Sequence, residues 1–155
     1  MTMKILSKLL SIGTLLSAIG FIGATSVQIF ARFFLANAPS WTEEASRLFF
    51  IYAMSFAAGL ALRDKYYVEL DIFYRKFPKK LRKLTDLVVQ LSTIVLFAIM
   101  GIFSVQYIIL GSIETSPSMK IPMSFAFFSM TLMSLTLLIY GIAEFTKKNI
   151  HNKYK

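Results

Sequence analysis

The chain has 155 residues, 56% of them hydrophobic and 16% charged, with 15 Phe, 8 Met, no Cys and a formal net charge of +9. Mean hydropathy is +0.64, whereas a soluble domain carries about a quarter charged residues. The apolar residues gather into four long blocks, which excludes a disordered chain, a disulfide-stapled secreted domain and a zinc–thiolate protein.

The first block runs from Leu9 to Phe30 without a charge. Lys4 and Lys8 before it, and Ala36-Asn37-Ala38 after it, look like the flanks of a signal peptide. Its length far exceeds the usual h-region of about 7–15 residues, so a retained anchor is expected. Gly13, Ser17, Gly20 and Ala24 fall on one face, small residues of the kind that let helix backbones approach in lipid.

The second block spans about Ala45 to Leu62. Ser40-Trp41-Thr42-Glu43 ahead of it fits a capping box, with Ser40 as N-cap and Glu43 reaching back. Glu43 and Glu44 sit in the first turn, where the helix dipole favours negative charge. Arg47 follows them by four and three residues, so all three are expected on one side. Trp41 suits the membrane interface. Ala53, Ala57 and Ala61, with Gly59 nearby, form a second packing stripe. The spacing fits a neighbour in this chain as well as one in another protein, and an intramolecular contact is the plainer expectation.

Residues 63–83 are strongly basic, with Arg63, Lys65, Arg75, Lys76, Lys79, Lys80, Arg82 and Lys83 against Asp64, Glu69 and Asp71. Within them Tyr67, Leu70, Phe73, Tyr74 and Phe77 recur at helical spacing. That pattern predicts an amphipathic helix in the interface, its bases drawn to anionic phospholipid. Pro78 is expected to end it and to start the next helix. The third block spans Leu87 to Gly111 and the fourth Met123 to Ala143. Pro122 stands at the start of the fourth, where proline is tolerated. Ser129, Thr131, Ser134 and Thr136 add hydroxyls for helix contacts.

Each block is close to the roughly 20 residues a helix needs to cross the hydrocarbon core, and helices satisfy their own backbone groups in lipid. The predicted fold class is all-α: one membrane domain over 1–155, with spans at about 9–30, 45–62, 87–111 and 123–143. Lysine and arginine concentrate at the two ends of the chain and in the middle connection, so the termini and the basic loop are expected in the cytoplasm. This topology accounts for the net charge without nucleic acid.

Enzyme chemistry has little to work with. The single histidine, His151, lies in the tail, which excludes a bundle with paired histidine haem ligands. No His/Asp/Glu group has metal spacing and there is no Gly-rich phosphate loop. The span centres carry no charge, whereas ion and proton pathways are marked by ionisable residues inside the spans. No Gly/Pro-broken helix pair appears at mid-depth, as a substrate-binding transporter core would require.

Several features then occur in a familiar order: Trp41-x-Glu43-Glu44-x-x-Arg47, Arg63 closing the second span, Val68-x-Leu70-Asp71, Pro78 before a basic run, and Ser116-Pro117-Ser118-Met119-Lys120-Ile121-Pro122-Met123. Together they resemble the small membrane subunit of tripartite ATP-independent periplasmic (TRAP) transporters, over nearly the whole chain. The chain departs from the family at Tyr67, where a histidine is common, and at Lys120, where a small or apolar residue is usual.

The resemblance implies a non-catalytic scaffold in the bacterial inner membrane. Its partners would be a much larger multi-span subunit, which holds the substrate and sodium sites, and a periplasmic substrate-binding protein. The substrate would be an organic acid such as a C4-dicarboxylate or a sialic acid, driven by a sodium gradient. This chain would bind no cofactor, the sodium belonging to the partner. Trp41, Glu43, Glu44 and Arg47 would set the outer end of the second helix, near the docking surface of the binding protein. Arg63 and Asp71 would fix the interfacial helix against the bundle. The competing reading is a self-contained homodimeric four-helix exporter, which needs a membrane-embedded carboxylate that this chain lacks. A third is an unrelated membrane assembly protein, and only the identity of the partner separates it from the scaffold.

Overall fold

A computed structural model describes residues 2–35, 39–64 and 78–153. They form four helices: α1 (Thr2–Phe34), α2 (Trp41–Arg63), α3 (Lys79–Gly111) and α4 (Ser124–Lys153). All four are long and apolar enough to cross a membrane. The protein is an all-helical, multi-pass membrane protein. The interfacial helix expected around Tyr67, Asp71, Phe73 and Tyr74 lies outside the described residues.

The helices outrun the hydropathy blocks because helix continues wherever the backbone finds no breaker. α1 and α3 each have 33 residues, or ~50 Å at 1.5 Å per residue. Pro78 does open α3: its backbone is extended (φ −62°, ψ 149°) and helix begins at Lys79, since proline can neither extend a helix N-terminally nor donate an amide. Lys79, Lys80, Arg82 and Lys83 therefore occupy the first turns of α3.

Burial is inverted relative to a soluble protein. Leu, Ile and Phe cover the outside of α1 and α3, while the fully buried side chains are Thr42, Ser104 and Ser134. Lipid tails are as apolar as leucine, so nothing drives large side chains inward, and close approach of small residues decides the contacts. Several of the buried hydroxyls bond within their own helices, while those of Thr25 and Tyr140 find no acceptor among the described residues. Ser55 donates to the Ile51 carbonyl at 2.7 Å, Ser134 to Thr131 at 2.9 Å, and Thr136 to Leu132 and Met133 at 2.9 Å.

Contacts run in the order α1–α2–α4–α3. α1 meets α2 at two glycines a heptad apart, Gly13 beneath the Phe56 ring and Gly20 beneath Phe49. Phe21 and Phe50 pack between them, ring centroids 5.5 Å apart. α2 meets α4 at Gly59, which faces Thr136 and leaves room for Leu10 of α1. α4 meets α3 through Gly101 against Ser134 and a hydrogen bond from Thr131 to Ser104 at 2.9 Å. A double-mutant cycle on Ser104→Ala and Thr131→Val, read by unfolding in detergent, is expected to give a coupling of only about 0.6 kcal/mol. In lipid the separated helices find other partners for such groups.

Candidate functional site

The α1–α2 and α3–α4 connections lie at one end of the molecule, called here the hairpin end. The start of α1 and the end of α4 lie at the other. At the hairpin end, residues 112–123 fold into a compact turn. Ser116 donates its amide to the Ile121 carbonyl at 2.8 Å, Met123 to Glu114 at 2.9 Å, and Lys120 to Ser116 at 3.2 Å. Thr115 and Pro122 form an antiparallel bridge.

The turn closes over one side chain. The Glu44 carboxylate accepts the Ser118 amide at 2.9 Å, the Met119 amide at 2.8 Å and the Ser116 hydroxyl. Ser116 is buried. The Ser118 and Met119 amides are consumed by no helix or strand, and a carboxylate is the acceptor that uses them best. A second tie runs alongside, from the Tyr52 hydroxyl to the Phe125 carbonyl at 2.7 Å. The start of α2 is thus joined to the start of α4 through the turn.

Two expectations are corrected here. Glu43, Glu44 and Arg47 do not meet on one side: Arg47 pairs with Glu43 alone, at 3.2 Å and exposed, while Glu44 faces the turn. Both spacings bring an acid within reach of Arg47, but the Glu44 carboxylate is taken up by the turn, which leaves Arg47 to Glu43. The capping box is also absent. Ser40 has helical dihedrals (φ −64°, ψ −23°) and makes no side-chain cap, whereas an N-cap needs extended backbone. Thr42, the second residue of α2, instead ties the helix start back to Pro39, its hydroxyl donating to the Pro39 carbonyl at 2.7 Å and its amide to the same oxygen at 3.2 Å.

Lys120 has a positive φ of 57°. A side chain there crowds its own carbonyl at a cost of about 1–2 kcal/mol. Lys120→Gly is therefore expected to stabilise the turn by up to about 1 kcal/mol, and Lys120→Val to destabilise it. Thermal unfolding of both variants in the same detergent checks the ordering.

The remaining sequence-derived candidates are placed as follows. Trp41 is the first residue of α2 and is exposed. Pro122 belongs to the turn. Arg63 ends α2, its guanidinium donating to both Asp64 carboxylate oxygens at 2.6 Å, and that contact holds Asp64 below the usual carboxylate range. Gly13 and Gly20 sit in the α1–α2 contact, Ser17 is buried, and Ala24 is half-buried. Ala53, Ala57 and Ala61 are half-buried, and the tightest approach on α2 is instead at Gly59. Asp71 and the aromatic residues Tyr67, Phe73 and Tyr74 lie outside the described residues. Among the described residues no group of His, Cys, Asp or Glu could hold a metal ion.

Four lipid-facing helices tied by small-residue contacts and one clamped turn describe a multi-pass membrane protein whose ionisable residues stay near helix ends. Comparison with known proteins is consistent with that. The family model described as "Tripartite ATP-independent periplasmic transporters, DctQ component" matches residues 21–148. The chain belongs to this family and is a non-catalytic small component of a TRAP transporter. It is 23% identical over 133 residues to a TRAP transporter small permease of Haemophilus influenzae, covering 86% of this chain and 81% of that one. It is also 34% identical over 79 residues to the sialic acid TRAP transporter permease SiaT of another Haemophilus influenzae strain. That match takes in 51% of this chain but only 12% of SiaT, a far longer protein.

Proposed function

We propose that this chain is the static scaffold subunit of a sodium-coupled, binding-protein-dependent importer of organic acids, the sialic acid class being the leading candidate and C4-dicarboxylates the next. It sits in the bacterial inner membrane with both termini and the 63–83 connection in the cytoplasm. It anchors a much larger multi-span subunit, which carries substrate and sodium, and it binds neither itself. A periplasmic binding protein delivers the substrate at the hairpin end, against the surface that Glu44 holds in shape.

The observation that carries this reading is the match to a short part of the much longer SiaT permease. A segment like this chain occurring within a large permease polypeptide is what two subunits that work side by side would produce on fusion. The lysine and arginine distribution supports the orientation. The absence of charge from the span centres supports a supporting role rather than a conducting one. Deleting this chain, with the large subunit and binding protein retained, is expected to abolish sodium-dependent uptake. Wild-type uptake without it would overturn the reading.

A further inference from the structure

The packing contacts set the relative heights of the four helices, and those heights do not match. Gly13 opposite Phe56 and Gly20 opposite Phe49 fix α1 on α2. Gly59 opposite Thr136 fixes α2 on α4, and Gly141 beside Ile94 together with Thr131 bonded to Ser104 fixes α4 on α3. On this register the middle of the α1 span, Met3–Phe34, is level with Phe50 and Ile51 of α2. The middle of the α3 span, Leu84–Gly111, is level with Leu60 and Ala61. That difference is about ten residues, or ~15 Å along the axis.

The overhangs at both extremes are apolar. α1 runs about six residues past the level of Trp41 towards the hairpin end, where Phe33 is 81% exposed and Phe34 72%. α3 runs about fifteen residues past the level of Arg63 in the opposite direction, exposing Leu84, Leu87, Val88 and Leu91. In an upright molecule one of these surfaces would stand in water. The spans are also too long for an upright helix: 32 residues in α1 and 28 in α3 reach ~48 Å and ~42 Å, against a core of about 30 Å.

We propose that the helix row crosses the bilayer slanted, α1 displaced towards the hairpin end and α3 towards the terminal end, so that lipid acyl chains cover both overhangs. An offset of ~15 Å over three neighbour steps of about 9 Å corresponds to a tilt on the order of 30°, within the range known for membrane helices. Lipid is the occupant because both overhangs end in the residue types that sit at headgroups. Arg32 lies at one extreme, and the basic positions 79, 80, 82 and 83 at the other.

The chain has no cysteine, so single-cysteine probes need no background changes. Leu87→Cys and Phe33→Cys, each labelled with a polarity-sensitive fluorophore in the full chain in phosphatidylethanolamine–phosphatidylglycerol vesicles, are expected to emit as in an apolar medium. Nitroxide-bearing lipid should quench both to within about twofold of an Ile99→Cys mid-span control, and aqueous iodide should not. Strong iodide quenching at residue 87 would mean an upright row with α3 projecting into water. Protection from both quenchers would mean a protein cover, such as a second copy. Either result overturns the proposal. Polarised infrared absorption of the unmodified chain in oriented bilayers gives an independent reading: a mean helix tilt on the order of 30° supports it, and one below about 15° contradicts it.

Discussion

Glu44→Gln is expected to release the 112–123 turn, while Glu43→Gln leaves it intact. The Glu44 carboxylate accepts from two backbone amides and one hydroxyl. A glutamine has one oxygen in place of two and puts an amide NH2 against those donors, so at least one of the three goes unmet. Buried donors without acceptors are costly, and bonds to a charged acceptor are the stronger kind. Amide hydrogen exchange at Ser118 and Met119 should accelerate by at least about tenfold. Recovery of the assembled transporter should fall with it, because the turn ties the start of α2 to that of α4. Glu43 shares only an exposed pair with Arg47, of a kind that contributes little. Equal exchange rates in the two variants would show that the two acids are equivalent and that the clamp is wrongly assigned.

The second large effect is expected at Gly59. A Cβ there would lie 3.0 Å from Thr136 Cβ, 3.1 Å from its hydroxyl and 3.2 Å from Leu10. The Leu10 atom is a terminal methyl that can swing aside, but Thr136 is short and β-branched with no room to give, so Gly59→Val is expected to push α2 from α4. Overpacking of this kind costs about 1–3 kcal/mol, which for a chain of this size lowers the unfolding midpoint by roughly 2–12 °C. Gly23→Val is the control, since a Cβ at Gly23 meets nothing within 4 Å, and it should be close to neutral. Thr136→Ala in a Gly59→Ala background should recover part of the loss, because the two sites share one contact. A similar midpoint for Gly59→Val and Gly23→Val would mean that this contact does not hold the row together.

These two sites differ in how far the sequence exposes them. The four spans are legible because hydropathy is a local property, and Pro78 and Gly13/Gly20 carry their meaning in the residue itself. Phe49 and Phe56 as the covers of those glycines are not legible, because nothing in the α2 sequence distinguishes them from Phe50. The Glu44 clamp joins residues 72 to 75 positions apart, and backbone amides leave no mark on composition. The capping pattern at Ser40 misleads because the residue types were right while the dihedrals belong to the helix. Lys120 stands out as a departure from the family's usual residue, and its left-handed backbone shows why a glycine would fit there.

The central claim is that this chain works as one part of a larger permease. The most direct measurement is gentle-detergent purification of the tagged chain from its native membrane, with the mass of the intact particle and its protein content determined. The account predicts one stoichiometric, much larger multi-span partner for each copy of this chain. A particle made only of two copies of this chain would contradict it and return the homodimeric exporter to first place.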